Sequence, residues 1–262
     1  MGSDYQLVFG LSADPVHVGH VEMVAQSAQG LVARGYPLVE VLLVPVYRRN
    51  PVGAVKRGLP DTFASRLTMC ALAAGEVAHR LERRLPAACA RPRIGASAIE
   101  AELARHRRRP NYTVETLTLL KLRCPPGRGL IFLISSELVA GSDPQLGRWH
   151  RPDAILRVAD IAVCPRPGYT PNRRFLSALA RGGRRVIRLD EVATPDISAT
   201  AVRACLDAGV SPLALARHGS LTPAIARYLS VRRASYISET TAGKGPSTSS
   251  RLTKCADSAS SR

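Results

Sequence analysis

With 262 residues and 45% hydrophobic content, the chain can bury a sizeable core, which excludes wholesale disorder and allows one large domain or two small ones. Aromatics reach only 5% and Trp149 is the sole tryptophan, so Leu, Val, Ile and Ala must build that core. Thirty-seven Lys and Arg against twenty Asp and Glu give a net charge of +17, which favours nucleotides, nucleic acid or an anionic surface without choosing among them.

In chain order, residues 5–11 (YQLVFGL) read as a strand, followed by the polar turn SADPVHVG. Val21, Val24, Ala25, Ala28, Leu31 and Val32 then mark one face of a helix, with Gly35 suited to its C-terminal stop. Residues 39–46 form a second buried strand, and 130–134, 160–164 and 185–189 are further strands. Helices are expected over 62–78, 113–122, 199–208 and 222–231. The Arg- and Pro-rich stretch 80–110 interrupts the pattern as a helix pair or a surface excursion. Its basic cluster, Arg105, Arg107, Arg108 and Arg109, reads as a solvated face or as a phosphate or nucleic-acid contact.

Continuous apolar strands separated by helices indicate a doubly wound, Rossmann-like parallel sheet with helices on both faces, where ligands bind beyond the carboxyl ends of the strands. This single domain is expected over 1–234. Residues 235–262 carry eight serines and no periodicity, and are expected to be a disordered tail. No basic leader precedes the short apolar run at the N-terminus, and no apolar stretch approaches the roughly 18 residues that span a bilayer. The six cysteines are scattered without CxxC or zinc-like spacing, which suits reduced thiols in a cytoplasmic protein.

His17 and His20 stand three residues apart around Gly19, where the first strand gives way to the first helix. Free N–H groups and the helix dipole favour an anion there, two imidazoles can donate to phosphate oxygens, and Gly19 permits close approach of the backbone. The same residues would also serve as ordinary helix caps. No Walker lysine motif and no GxGxxG is present. Near the other end, Asp196 or Ser198 can N-cap a helix, and Ser198, Thr200 and Arg203 together would form a polyphosphate cradle.

The stretch FGLSADPVHVGH resembles the GG(S/T)F(D/N)PxHxGH signature of the nucleotidyltransferase superfamily, keeping Gly10, Ser12, Asp14, Pro15, His17, Gly19 and His20 and departing at Leu11 and Ala13. DISATAVR (196–203) resembles the same superfamily's ISxTxxR, beginning at Ile197. Three further stretches resemble the nicotinate-nucleotide adenylyltransferase family. NYTVETL (111–117) is similar to YTxDTL, with Glu115 in place of Asp; Ser135, Ser136 and Glu137 stand where Gly, Ala and Asp are usual, ahead of Trp149; and PRPGY (165–169) is similar to a strand-end RPG segment. Lys56 aligns with a family cation, although Val55 replaces the preceding histidine, and Arg66 matches an RxxM spacing in a structural role.

The resemblance implies that ATP and nicotinate mononucleotide give nicotinate adenine dinucleotide and pyrophosphate, with Mg²⁺ carried on ATP and no protein metal cage. It implies that His17, His20 and Arg203 act on the phosphates, and that Gly10, Leu11, Ser12, Gly19, Lys56, Ile197, Ser198 and Thr200 hold ATP. Tyr112, Thr113, Glu137, Trp149 and Arg166 would face the pyridine nucleotide. Trp149 either stacks on the pyridine or fills the core; Arg166 either reaches a phosphate or the pyridine carboxylate, or is a surface arginine. The competing readings are a related transferase with another acceptor, such as nicotinamide mononucleotide, and a basic nucleic-acid-binding protein on a degenerate transferase fold. Few aromatics for base stacking weigh against the second. No membrane partner is expected, and a homo-oligomer is compatible with the sequence.

Overall fold

The computed structural model describes residues 4–48, 62–105, 109–181 and 185–240, with side chains to residue 232. Six strands, β1 (Tyr5–Leu11), β2 (Leu38–Pro45), β3 (Arg93–Ala96), β4 (Gly129–Ser135), β5 (Asp160–Cys164) and β6 (Val186–Arg188), pair in parallel in the order β3-β2-β1-β4-β5-β6. The direction of winding reverses between β1 and β4, which opens a crevice beyond their carboxyl ends.

Side-chain alternation on the central strands supplies two cores. Leu7, Phe9 and Leu11 of β1 face one way with Ile131 and Leu133 of β4. They pack with α1 (Val18–Ala33), α2 (Phe63–Arg84) and α9 (Pro223–Thr240). Val8, Leu130, Phe132 and Ile134 face the other way, against α4 (Thr113–Arg123) and α5 (Pro152–Val158). Both faces are therefore covered, as near-continuous apolar strands require. The remaining helices are α3 (Ile99–Ala104), α6 (Arg173–Ala180), α7 (Ala199–Asp207) and α8 (Pro212–Arg217).

The first helix stops as its sequence dictates. Gly35 takes φ of 78°, its N–H reaches the Val32 carbonyl at 3.0 Å, and the Tyr36 N–H reaches the Leu31 carbonyl at 3.0 Å. This is a Schellman stop with glycine in the left-handed position.

The 80–110 stretch is neither a helix pair nor a surface excursion alone. It holds the last turn of α2, the edge strand β3 and α3. An edge strand of only four residues, RIGA, with none of them fully buried carries almost no alternation signal, so only its pairing with β2 reveals it. The helix expected over 62–78 continues to Arg84. Helix α9 continues past residue 234, where the sequence placed the end of the domain; residues 241–262 lie outside the described residues. Tyr228 of α9 donates its hydroxyl to Ser65 of α2 at 3.1 Å, and Ile225, Ala226 and Leu229 are buried, so this helix closes the core.

Candidate active site

The carboxyl ends of β1 and β4 open into a cavity of about 450 Å³. One wall is the loop from β1 into α1. His17 is the N-cap of α1, only 5% exposed, and its ring stacks on His20 with centroids 3.7 Å apart. The His17 backbone N–H donates to Nδ1 of His20 at 3.2 Å, so a neutral His20 carries its proton on Nε2 and keeps that group as a donor. Nδ1 of His17 is buried with no partner among the described residues, an unpaired polar atom in a cavity wall.

Burial holds both imidazoles well below the ordinary histidine range. His20 lies at about 4 through burial and then the nearby Arg166 charge. His17 is lowered by burial, then by His20 and Arg166. Both rings are therefore neutral donors and acceptors at neutral pH until an anion enters.

Gly19 is required for this stack. A Cβ there would meet His17 Nδ1 at 3.0 Å and Cε1 at 3.1 Å, with the Pro195 carbonyl oxygen at 3.5 Å. The loop itself is shaped by Ala13, at φ of 55° in the left-handed region, followed by a cis Asp14–Pro15 bond.

The facing wall is the start of α7. Ser198 is its N-cap and accepts from the Ala201 N–H at 3.1 Å. Ser198, Ala199, Thr200 and Arg203 all line the cavity, with Ile197 just before them. Arg203 is 8% exposed; it donates to the Asp14 carbonyl, lies 3.4 Å from Oδ2 of Asp14, and donates to the Thr200 hydroxyl at 2.9 Å. One guanidinium thus joins the first turns of α7 to the β1–α1 loop, 189 residues away in sequence.

The third wall belongs to β4, β5 and α4. Arg166, after β5, donates to the Glu137 carboxylate, and its backbone N–H donates to the Ser136 hydroxyl at 2.9 Å. Trp149 is half-buried and tilted against Phe132, with centroids 6.3 Å apart. Thr113, Glu137, Trp149 and Arg166 line the cavity.

Gly10, Leu11, Ser12, His17, Gly19, His20, Ile197, Ser198, Thr200 and Arg203 converge on this one space. Tyr112 does not join them. Its ring is 38% exposed, stacks on His150 at 3.9 Å and lies under the Arg109 guanidinium at 4.6 Å. These flanking groups hold it outside the lining, although the next residue, Thr113, lines the wall. Lys56 lies outside the described residues, as do residues 106–108 of the basic cluster. Arg109 of that cluster is bound to Glu115 at 2.6 Å.

The sequence reading missed Asp14, Glu100 and Thr116, which also line the cavity. Asp14 was visible as a motif residue, but its partner Arg203 is distant in sequence. Arg66 has the structural role expected of it. Buried at 3%, it donates to the Ser12 carbonyl at 3.2 Å, to the Val46 carbonyl and to the Tyr47 carbonyl at 2.9 Å, joining the ends of β1 and β2.

No protein-family model matches the chain. It is 31% identical over 219 residues to the probable nicotinate-nucleotide adenylyltransferase of Cellvibrio japonicus, covering 78% of this chain and 88% of that protein. It is 31% identical over 245 residues to the protein of the same description from Laribacter hongkongensis, covering 86% and 92%. A solved structure of Plasmodium falciparum nicotinic acid mononucleotide adenylyltransferase complexed with NaAD has a TM-score of 0.56 at 14% identity, covering 89% of this chain and 96% of that one, which is likeness of fold. With near-full-length identity to curated relatives added to the Rossmann-like sheet, the chain belongs to the nicotinate-nucleotide adenylyltransferase family.

Proposed function

We propose that the chain joins ATP and nicotinate mononucleotide to give nicotinate adenine dinucleotide and pyrophosphate, a step of NAD biosynthesis. The observation that carries this reading is the meeting of His17, His20, Arg203 and Arg166 around one cavity at the winding reversal of the sheet. The 5′-phosphate of the mononucleotide attacks the α-phosphorus of ATP and pyrophosphate leaves. That nucleophile is already anionic at neutral pH, so the reaction needs alignment and charge stabilisation rather than a strong base.

In this reading His20 Nε2–H and the imidazole of His17 donate to phosphate oxygens as charge builds. The N-terminus of α7, with Ser198 and Thr200, receives the β,γ-phosphates and the departing pyrophosphate. Arg203 neutralises that end of the triphosphate. Arg166 and Trp149 stand on the pyridine side, with Thr113 behind them. The divalent cation would come with the substrate, as MgATP, and would supply charge neutralisation on the triphosphate. Among the described residues no group of three or more His, Cys, Asp or Glu side chains converges. No described helix is long and apolar enough to cross a membrane, and the five described cysteines are free thiols; we place the enzyme in the cytoplasm.

The test is pyrophosphate release with MgATP and either nicotinate or nicotinamide mononucleotide. Turnover with the acid form, lowered about 10²–10³-fold in His20→Ala, is the expected result. Full activity in both His20→Ala and Arg203→Ala, or no turnover with either mononucleotide, would overturn it.

A further inference from the structure

Of the acidic side chains lining this cavity, Asp14 and Glu137 face arginines, while the described partners of the Glu100 carboxylate are an amide, a hydroxyl and a backbone N–H. Glu100 is 6% exposed and sits in α3, a six-residue helix. Its donors come from two segments, residues 111–116 and the chain just beyond β2. The Thr116 hydroxyl of α4 donates to Oε1. The Asn111 side-chain N–H₂ donates to Oε2 at 2.9 Å and to the Glu100 main-chain carbonyl at 2.6 Å. The backbone N–H of Tyr47, just beyond β2, approaches Oε2 at 3.4 Å.

These three donors are neutral. Burying a carboxylate costs desolvation that an apolar side chain would avoid. What the carboxylate supplies is geometry: four lone-pair sites that bind an amide, a hydroxyl and a backbone N–H at once. Asn111 and Thr116 bracket Tyr112 and Thr113, and Thr113 and Thr116 line the cavity. With its hydroxyl hydrogen committed to Glu100, Thr116 can offer only oxygen lone pairs elsewhere.

We propose that Glu100 is a positioning residue for the pyridine-nucleotide side of the site. It clamps the 111–116 turn to the end of β2, so that Thr113 and Thr116 meet the acceptor nucleotide at a set distance from the triphosphate wall. The inference rests on the proposed acceptor. Its consequence is selective: loosening the clamp moves the acceptor wall and leaves the His17, His20 and Arg203 wall where it is.

The experiment measures steady-state kinetics for both substrates, with thermal melting, in wild type, Glu100→Gln, Thr116→Val, Asn111→Asp and the double variant Glu100→Gln with Asn111→Asp. Glu100→Gln keeps an oxygen for Asn111 and Tyr47 but loses the charge and turns the other oxygen into an N–H₂ facing Thr116, whereas Asn111→Asp sets a carboxylate against both the Glu100 carboxylate and its main-chain carbonyl. The double variant again faces the carboxylate at position 111 with an amide N–H₂, leaving the main-chain carbonyl opposed to it. KM for nicotinate mononucleotide should rise about tenfold to a hundredfold in Asn111→Asp, and less in Glu100→Gln and in Thr116→Val, while KM for ATP stays within about threefold. The double variant should recover part of the Asn111→Asp loss.

Equal effects on both KM values, or a double variant as poor as the product of its parts, would overturn the positioning role. A wild type that turns over no nicotinate mononucleotide would instead overturn the acceptor assignment. Should Glu100→Gln melt below the assay temperature, Asn111→Asp, at a position bound to Glu100 and outside the cavity lining, carries the comparison. In that variant a raised KM for the mononucleotide alone supports the clamp, and unchanged constants overturn it.

Discussion

The imidazoles of His17 and His20 stack 3.7 Å apart at the head of α1, and both are neutral because they are buried. An unfolded chain would protonate both near the ordinary value of about 6.5. The folded chain resists protonation of His20 down to about 4. Above about pH 6.5 both states are neutral and the folded state keeps its full stability. As pH falls from there toward 4, the unfolded state gains protons that the folded state does not, so stability is lost in that window. The loss attached to His20 is of the order of 1–3 kcal/mol. Melting temperature against pH should therefore be steeper between 6.5 and 4 in wild type than in His20→Asn; identical curves would contradict the neutral buried pair. A triphosphate beside the rings favours their charged forms, so ATP binding in the same window should take up protons, seen as a buffer-dependent heat in titration calorimetry.

Gly19 leaves no room for a side chain. A methyl group there would press on His17 at 3.0 Å and displace the ring by a few tenths of an ångström. Gly19→Ala should lower kcat about tenfold or more while the protein still folds, because the helix backbone tolerates alanine and only the ring must move. Single-turnover rates with saturating substrates check this. An unchanged rate would mean that the position of the ring is not critical.

How much of this site can be read before folding depends on where the recognition chemistry sits. His17, Gly19 and His20 are legible because a short motif at the end of an apolar strand places all three residues together. Ser198 is legible as a helix cap. Tyr112 is not, because its place is decided by His150 and Arg109, which press on its ring from outside the motif. Glu100 is hidden for a different reason. In IEAELA the two glutamates look alike, as the solvated side of a short helix, and only the arrival of the 111–116 stretch buries Glu100. Strand β3 and helices α5, α6 and α8 are too short for periodicity to rise above the surrounding Arg and Pro. The parallel sheet is legible because β1, β2, β4 and β5 are apolar almost throughout.

Arg166 is bound to Glu137 and depresses both histidines by its charge. Removing it strands a carboxylate in a cavity built for anions. Arg166→Ala should raise KM for the mononucleotide about tenfold, and Arg166→Ala with Glu137→Ala should recover part of that loss because the unpaired acid is gone. Arg166→Ala should also shrink the acid loss of stability below about pH 6.5, since the histidines lose a repelling cation, protonate more readily in the folded state and end the loss at a higher pH than in wild type. A double variant no better than the single one would show that Arg166 acts by contact with substrate alone.

Arg203 makes its bonds to Asp14 and Thr200 with a fork that lysine lacks. Arg203→Lys keeps the charge near the triphosphate but cannot reach both partners together. It should therefore lower kcat about 10²-fold and reduce the melting temperature, whereas an isolated charge effect would leave both nearly intact. Asp14→Asn separates the two anchors of the loop. The Asp14 carboxylate is 3.4 Å from the guanidinium, while the backbone carbonyl of the same residue accepts directly and survives the substitution. Asp14→Asn should accordingly cost much less than Arg203→Lys in both measurements. The reverse order would mean that the carboxylate, rather than the main chain, holds Arg203 against the histidine loop.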